Sequence, residues 1–296
     1  MSHVRTINWQ ALLQALIAIL EDFVLPPDPA PTPTRRRVTI PDRAKPLSLT
    51  RRAPREHLLR GRPYRPYFDT AVLPATFANL DAKLSIFEND ALGDCDSAEE
   101  CQNINTAWGV IIANATLTPW LIRHGFLDGA YSQDVLRTMA KVGILQGGVL
   151  YKDGDFTLVD PKNWDNMRSA LYSTVGTSLP PTQIKLDIDG DAIIDKVDLN
   201  QPFSIITNLH PSTTVNHCTA VVGFGTAAAL LDLLNQKYQS SIVLPPQLDP
   251  NTPCYVHFTW GQYQIIDAAS LANIADCGYL RTPGSIQIPA KGGDAK

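Results

Sequence analysis

Asn216-His217-Cys218-Thr219-Ala220-Val221-Val222-Gly223-Phe224-Gly225 sets a histidine at the head of an apolar run that closes on two glycines. Read alone it is a strand, because β-branched and apolar residues fill it and glycine marks its end. A second stretch gives it weight. Asn89-Asp90-Ala91-Leu92-Gly93-Asp94-Cys95 runs straight into a helical pattern, in which Cys101, Ile104, Trp108, Ile111 and Ala115 follow at steps of three and four. Asp96-Ser97-Ala98-Glu99 fits a capping box at that start. A cysteine at a helix N-terminus feels the positive end of the dipole, which favours thiolate. Asp94, Asp96, Glu99 and Glu100 oppose that form by like charge, so a nearby imidazolium is needed to make Cys95 a nucleophile.

Working outward, residues 133–142 carry Val135, Met139 and Val142 on one helical side, and a further helix is expected over residues 164–175, after Pro161. The second half turns to strands at 203–207, 219–224 and 254–260, with a helical insertion at 230–238. Helices first and strands second predict an α+β fold.

Taken in order, these segments resemble the papain-like cysteine peptidases. Asn216 to Gly225 is similar to that family's active-site histidine strand, and Cys95 takes its nucleophile position at the start of a long helix. Thr259-Trp260-Gly261 resembles the Ser-Trp-Gly segment, and Gly278-Tyr279-Leu280-Arg281 the closing Gly-Tyr-Ile-Arg strand. The helix over 131–142 followed by Gly143-Ile144 resembles the second helix and the Gly-Ile after it. The resemblance runs from Phe77 to Arg281 and implies a helical first half and an antiparallel sheet second half. It implies a hydrolase of peptide or isopeptide bonds acting on a protein or peptide substrate, without a cofactor; transglutaminase-like transfer uses the same pair. Cys95 would attack the carbonyl, His217 would move the proton, and Asn89 with the Cys95 backbone N–H would hold the oxyanion.

The departures point elsewhere. The family's imidazole-orienting asparagine is replaced by Phe258, and its oxyanion glutamine by the shorter Asn89. Asn216, Asp267 or a backbone carbonyl are the candidates to orient His217. The alternative to a hydrolase is therefore an inactive papain-like scaffold, a structural or binding subunit of a larger assembly such as a phage virion.

The 296 residues are 44% hydrophobic and 18% charged, an ordinary globular balance. The net charge of −4 gives no global pull toward nucleic acid or membrane. It hides an asymmetry. Residues 25–70 hold eleven Arg and Lys against four acids, so they carry +7 and the remainder −11. The expected organisation is an apolar helix over 1–25, a Pro/Arg-rich basic arm over 26–72, the papain-like domain over 73–284 and a tail over 285–296. Residues 1–70 are expected to contact a protein partner or a second copy. Nucleic acid is not favoured, since no aromatic interleaving accompanies the arginines.

Five cysteines without zinc spacing predict neither a disulfide scaffold nor a structural metal. Asp187, Asp189, Asp191 and Asp198 fall at positions one, three, five and twelve of a calcium loop. They lack its glycine at six and glutamate at twelve, so an acidic turn is the expectation. The apolar run 11–24 is interrupted by Gln14, Glu21 and Asp22. Neither a signal peptide nor a membrane span is expected, and the location is cytoplasmic or within a particle.

Overall fold

The computed structural model describes residues 62–63, 72–87, 94–127, 129–212, 216–282 and 284–287. The expected N-terminal helix, most of the basic arm, Asn89 and the last nine residues lie outside them. Seven helices are described: α1 (Cys95–Trp108), α2 (Asn114–His124), α3 (Ser132–Lys141), α4 (Trp164–Tyr172), α5 (Gly190–Ile194), α6 (Ala227–Tyr238) and α7 (Ala268–Ile274). The strands are β1 (Arg62–Pro63), β2 (Phe77–Ala78), β3 (Ile144–Gln146), β4 (Val149–Lys152), β5 (Phe156–Val159), β6 (Ile184–Asp189), β7 (Phe203–Ile206), β8 (Asn216–Thr226), β9 (Pro253–Thr259), β10 (Gln262–Asp267), β11 (Ala275–Arg281) and β12 (Ser285–Gln287). The expected order of helices before strands is present, and the class is α+β.

Most strands join one sheet in the order β1-β5-β11-β6-β8-β9-β10-β7, with β2 on β8. Its ladders are antiparallel except β1–β5 and β7–β10. A smaller sheet, β12-β4-β3, lies beside it in sequence. Successive side chains of a strand point to opposite faces, and this decides what meets what. On β6, Ile184, Leu186 and Ile188 join the apolar cluster containing Met167 and Leu171 of α4 and Leu271 of α7. Lys185 and Asp187 alternate with them and meet α1 and the start of α3 instead.

The helical first half has its own core, in which Cys101, Ile104, Leu117, Leu121, Val135 and Met139 are buried together from α1, α2 and α3. Each such side chain contributes about 1.5–3 kcal/mol through burial. The expected stripe holds from Cys101 through Ile104 to Trp108, where Gly109 ends α1; Ile111 is exposed and Ala115 falls on α2, also exposed. The rest of α1 is unusual. Every residue from Cys95 to Asn105 is buried, although acids and amides predominate there. The helix also begins two residues earlier than a box capped by Asp96 would place it, at Cys95 with Asp94 as its N-cap. Asp96 and Glu99 sit inside the first turns, where Lys185 binds them.

The acidic segment after residue 187 differs from the expected turn: it finishes strand β6 and opens the short helix α5. The β9–β10 hairpin closes on Trp260 and Gly261, both with positive φ (47° and 72°), between the paired Thr259 and Gln262. Two left-handed residues form the tight turn whose twist suits a hairpin, and Gly261 adopts that shape without strain.

Candidate functional site

Cys95 is the first residue of α1 and is 2% exposed. It lines a pocket together with Ala98, Cys218, Phe258, Thr259 and Trp260. The pocket is small and lies between the start of α1, the segment 85–87 and the β9–β10 hairpin.

Position 217 lies one residue from that wall, near the start of β8, and Thr219 on its own sheet face also lines the pocket. Cys218 pairs with Asp187 across β8–β6 and shares the face that meets α1, whereas His217 pairs with Ile188 and shares the opposite face. The histidine Nε2 is hydrogen-bonded to Thr259 Oγ1 at 2.6 Å. Its ring stacks on Trp260 with centroids 4.6 Å apart and planes at 8°. Gly190 allows this packing, because a Cβ there would sit 2.8 Å from the His217 Cβ. Burial, helped by nearby His257, lowers the His217 pKa to about 3, so the imidazole is neutral at neutral pH. His217 thus meets the Cys95 pocket through Trp260, the shared wall.

The family asparagine's place is taken in an unexpected way. Phe258 turns to the face opposite His217 and packs edge-on against Tyr263, with centroids 6.0 Å apart. Thr259, the next residue, supplies the polar partner. Thr259→Val is expected to destabilise the protein by about 1–2 kcal/mol in chemical denaturation, because it leaves a buried ring nitrogen unpaired. Thr259→Ser keeps the hydroxyl and should cost less than half as much.

Of the orienting candidates, Asp267 caps α7, accepting from Ser270 N at 2.8 Å and Ser270 Oγ at 2.6 Å. It pairs with Cys254, at the far end of the hairpin from Thr259. The Asn216 backbone pairs with Asp189, and its side chain lies outside the described residues. The calcium-loop carboxylates diverge. Asp187 turns to Ser132 and Tyr279, Asp189 caps α5 through Ala192, and Asp198 caps its own turn at Asn200.

The sheet face beneath α1 carries a charged cluster that was not singled out in the sequence. Lys185 Nζ, fully buried, lies 3.1 Å from Asp96 Oδ1, 3.2 Å from Glu99 Oε2 and 3.1 Å from Glu100 Oε1. Arg281 Nε reaches Glu100 Oε2 at 3.1 Å and Asp153 Oδ2 at 3.4 Å, and its Nη2 holds Glu99. Burial would raise the Glu100 pKa, but Arg281 and Lys185 bring it down to about 2. Asp153 is pushed well up by burial and by Glu100, so it keeps a proton beside that carboxylate. Asp187 rises to about 7 through burial and the neighbouring Asp96. The signal was present in Ile184-Lys185-Leu186-Asp187-Ile188, whose alternation sets Lys185 and Asp187 on one face.

No family model matches this chain, and no curated protein does. Solved structures do. ProCathepsin B S9 from Trypanosoma congolense is 15% identical over 81% of this chain and 87% of its own, with a TM-score of 0.51. Digestive procathepsin L 3 of Tenebrio molitor larval midgut is 11% identical over 77% of each chain, with a TM-score of 0.48. Xylellain, a cysteine protease from Xylella fastidiosa, is 11% identical over 80% of this chain and 95% of its own, with a TM-score of 0.48. At the first of these identities and scores the likeness is one of fold, and the fold is papain-like.

Proposed function

We propose that this chain is a papain-like scaffold that works by binding, and that Cys95 and His217 do not act together as a catalytic pair. The observation that carries this reading is enclosure: Cys95 is 2% and His217 3% exposed, with the imidazole held between the Thr259 hydroxyl and the Trp260 ring. A Cys–His hydrolase needs an imidazole that takes the thiol proton and keeps it. Burial holds this one neutral, and Asp96 and Glu99 beside Cys95 disfavour thiolate as well. The acidic body suits a role in a larger assembly, contacted through the basic residues 25–70 by a protein partner or by a second copy.

The second reading is a hydrolase of peptide or isopeptide bonds. It is favoured by Cys95 opening α1 within a pocket walled by Trp260, on which His217 is stacked. It uses the Thr259 hydroxyl on Nε2 as the orienting group and the other ring nitrogen, Nδ1, toward Cys95, with Asn89 at the oxyanion.

Brief iodoacetamide labelling near neutral pH, read by peptide mass spectrometry, separates the two. All five cysteines are buried and none is in a disulfide, and burial raises the Cys254 pKa to about 12, which makes it an internal slow standard. The binding reading expects Cys95 to label no faster than Cys254, with no turnover of fluorogenic peptides. Cys95 labelling first, with loss of a peptidase activity in step, would overturn it.

A further inference from the structure

Three side chains of metal-ligand type converge beneath α1 from three different elements. The donor atoms of Asp96 on α1, Asp187 on β6 and Cys218 on β8 lie within 4.8 Å of one another, and all three residues are buried. Ser132 Oγ, at the first residue of α3, bridges the two carboxylates and lies 2.5 Å from Asp96 Oδ1. The second oxygen of Asp96, Oδ2, is buried yet accepts no hydrogen bond among the described residues, which leaves a donor atom of this set uncommitted.

We propose that Asp96, Asp187 and Cys218 bind a divalent cation of the zinc class, with the Ser132 hydroxyl as the fourth donor. A thiolate with few oxygens suits zinc, whereas calcium takes six to eight oxygen ligands. Binding forms one metal–sulfur bond and metal–oxygen bonds, and the Cys218 thiol proton leaves to solvent. Three anionic ligands and a dication leave −1 at the centre. Lys185, 3.1 Å from Asp96 Oδ1, neutralises that charge from outside the coordination sphere. Four protein donors would complete a four-coordinate site with no position for substrate, so the ion's role is structural. It would clamp α1 and α3 of the helical half to β6 and β8 of the sheet. The way in is the Cys95 pocket, which Cys218 also lines.

The test uses the full-length chain, reduced and stripped with chelator, then titrated with Co2+ as the spectroscopic probe. One equivalent should produce a near-ultraviolet thiolate-to-cobalt charge-transfer band that Zn2+ removes, and either ion should raise the thermal midpoint. Cys218→Ser should abolish the band, while Cys95→Ser, at the neighbouring thiol, should keep it. If Cys218→Ser does not fold, Asp187→Asn gives the second reading, with the band retained and affinity reduced by at least about tenfold. No band and no thermal shift at excess metal would overturn the proposal and leave Lys185 as the cluster's own counter-ion. A band that survives Cys218→Ser, or that Asp187→Asn leaves at full affinity, would overturn it equally.

Discussion

Arg281→Met is expected to destabilise the protein by about 3–5 kcal/mol in chemical denaturation at neutral pH, the cost of breaking a buried ion pair by removing one partner. Arg281 is 2% exposed, and its guanidinium holds Glu99, Glu100 and Asp153 from the end of β11. Methionine fills much of the same volume, so a cavity contributes little. What remains is two carboxylates on α1 facing Lys185 alone. Helix α1 has few apolar residues on its sheet-facing side, so its attachment to the sheet depends on this compensation. A control on the surface sets the scale. Arg137 and Asp134 pair at 3.2 Å with both side chains about half exposed, and Arg137→Met should cost less than about 0.5 kcal/mol. Adding Glu100→Gln to Arg281→Met should recover part of the loss, because it removes a charge left unpaired. A cost near that of Arg137→Met would mean that apolar packing, not the ion network, holds α1 in place.

That network shows where the sequence was legible and where it was not. Local pattern was readable: the stripe through Cys101 and Ile104, the strand from His217 to Gly225, and the helical insertion all took their expected form. The departure at Phe258 was also readable, since a phenyl ring cannot orient an imidazole. Which of His217 and Cys218 faces α1 was not. In a strand that choice is one of parity, and shifting a register by one residue exchanges every side chain between faces. Cys218 was expected on the strand face opposite His217, and β8 sets it there, with Asp187 and toward α1. Asp267 was considered for the imidazole, although Asp267-Ala268-Ala269-Ser270 also reads as a helix N-cap, and the cap is what forms. The alternation over 184–188 was masked by the turn-like Asp-Gly-Asp after it. Residues 96, 187 and 218 share no spacing, so only the fold could bring them together.

The acid limb of stability should carry the signature of a second buried histidine. His257 is fully buried on the same sheet face as His217 and Thr219. Gln264 Nε2 donates to the carbonyls of Thr259 and Gln262, so its Oε1 accepts from His257 Nδ1 at 3.0 Å. The other ring nitrogen, Nε2, then accepts from the Thr219 hydroxyl at 2.7 Å. Burial lowers the His257 pKa from 6.5 to about 4, against a small opposing effect of the Gln264 hydrogen bond. The unfolded chain therefore gains a proton at this residue as pH falls below 6.5, while the folded chain stays neutral until about 4. Stability from this residue is full above pH 6.5 and is lost between there and pH 4, at about 1.4 kcal/mol per pH unit. His217 adds to the same trend, and the raised carboxyls of Asp187 and Asp153 oppose it, since the folded state binds their protons in the same range. The wild-type curve alone mixes these opposing contributions. Comparison with His257→Asn, which keeps a donor for Gln264 and cannot titrate, isolates the histidine. Relative to that variant, the wild type should lose about 3 kcal/mol between pH 6.5 and pH 4 in denaturant midpoints measured at each pH. A difference that stays constant across that range would mean that His257 titrates normally, and that water reaches the ring through a sheet face that packs more loosely than its hydrogen bonds imply.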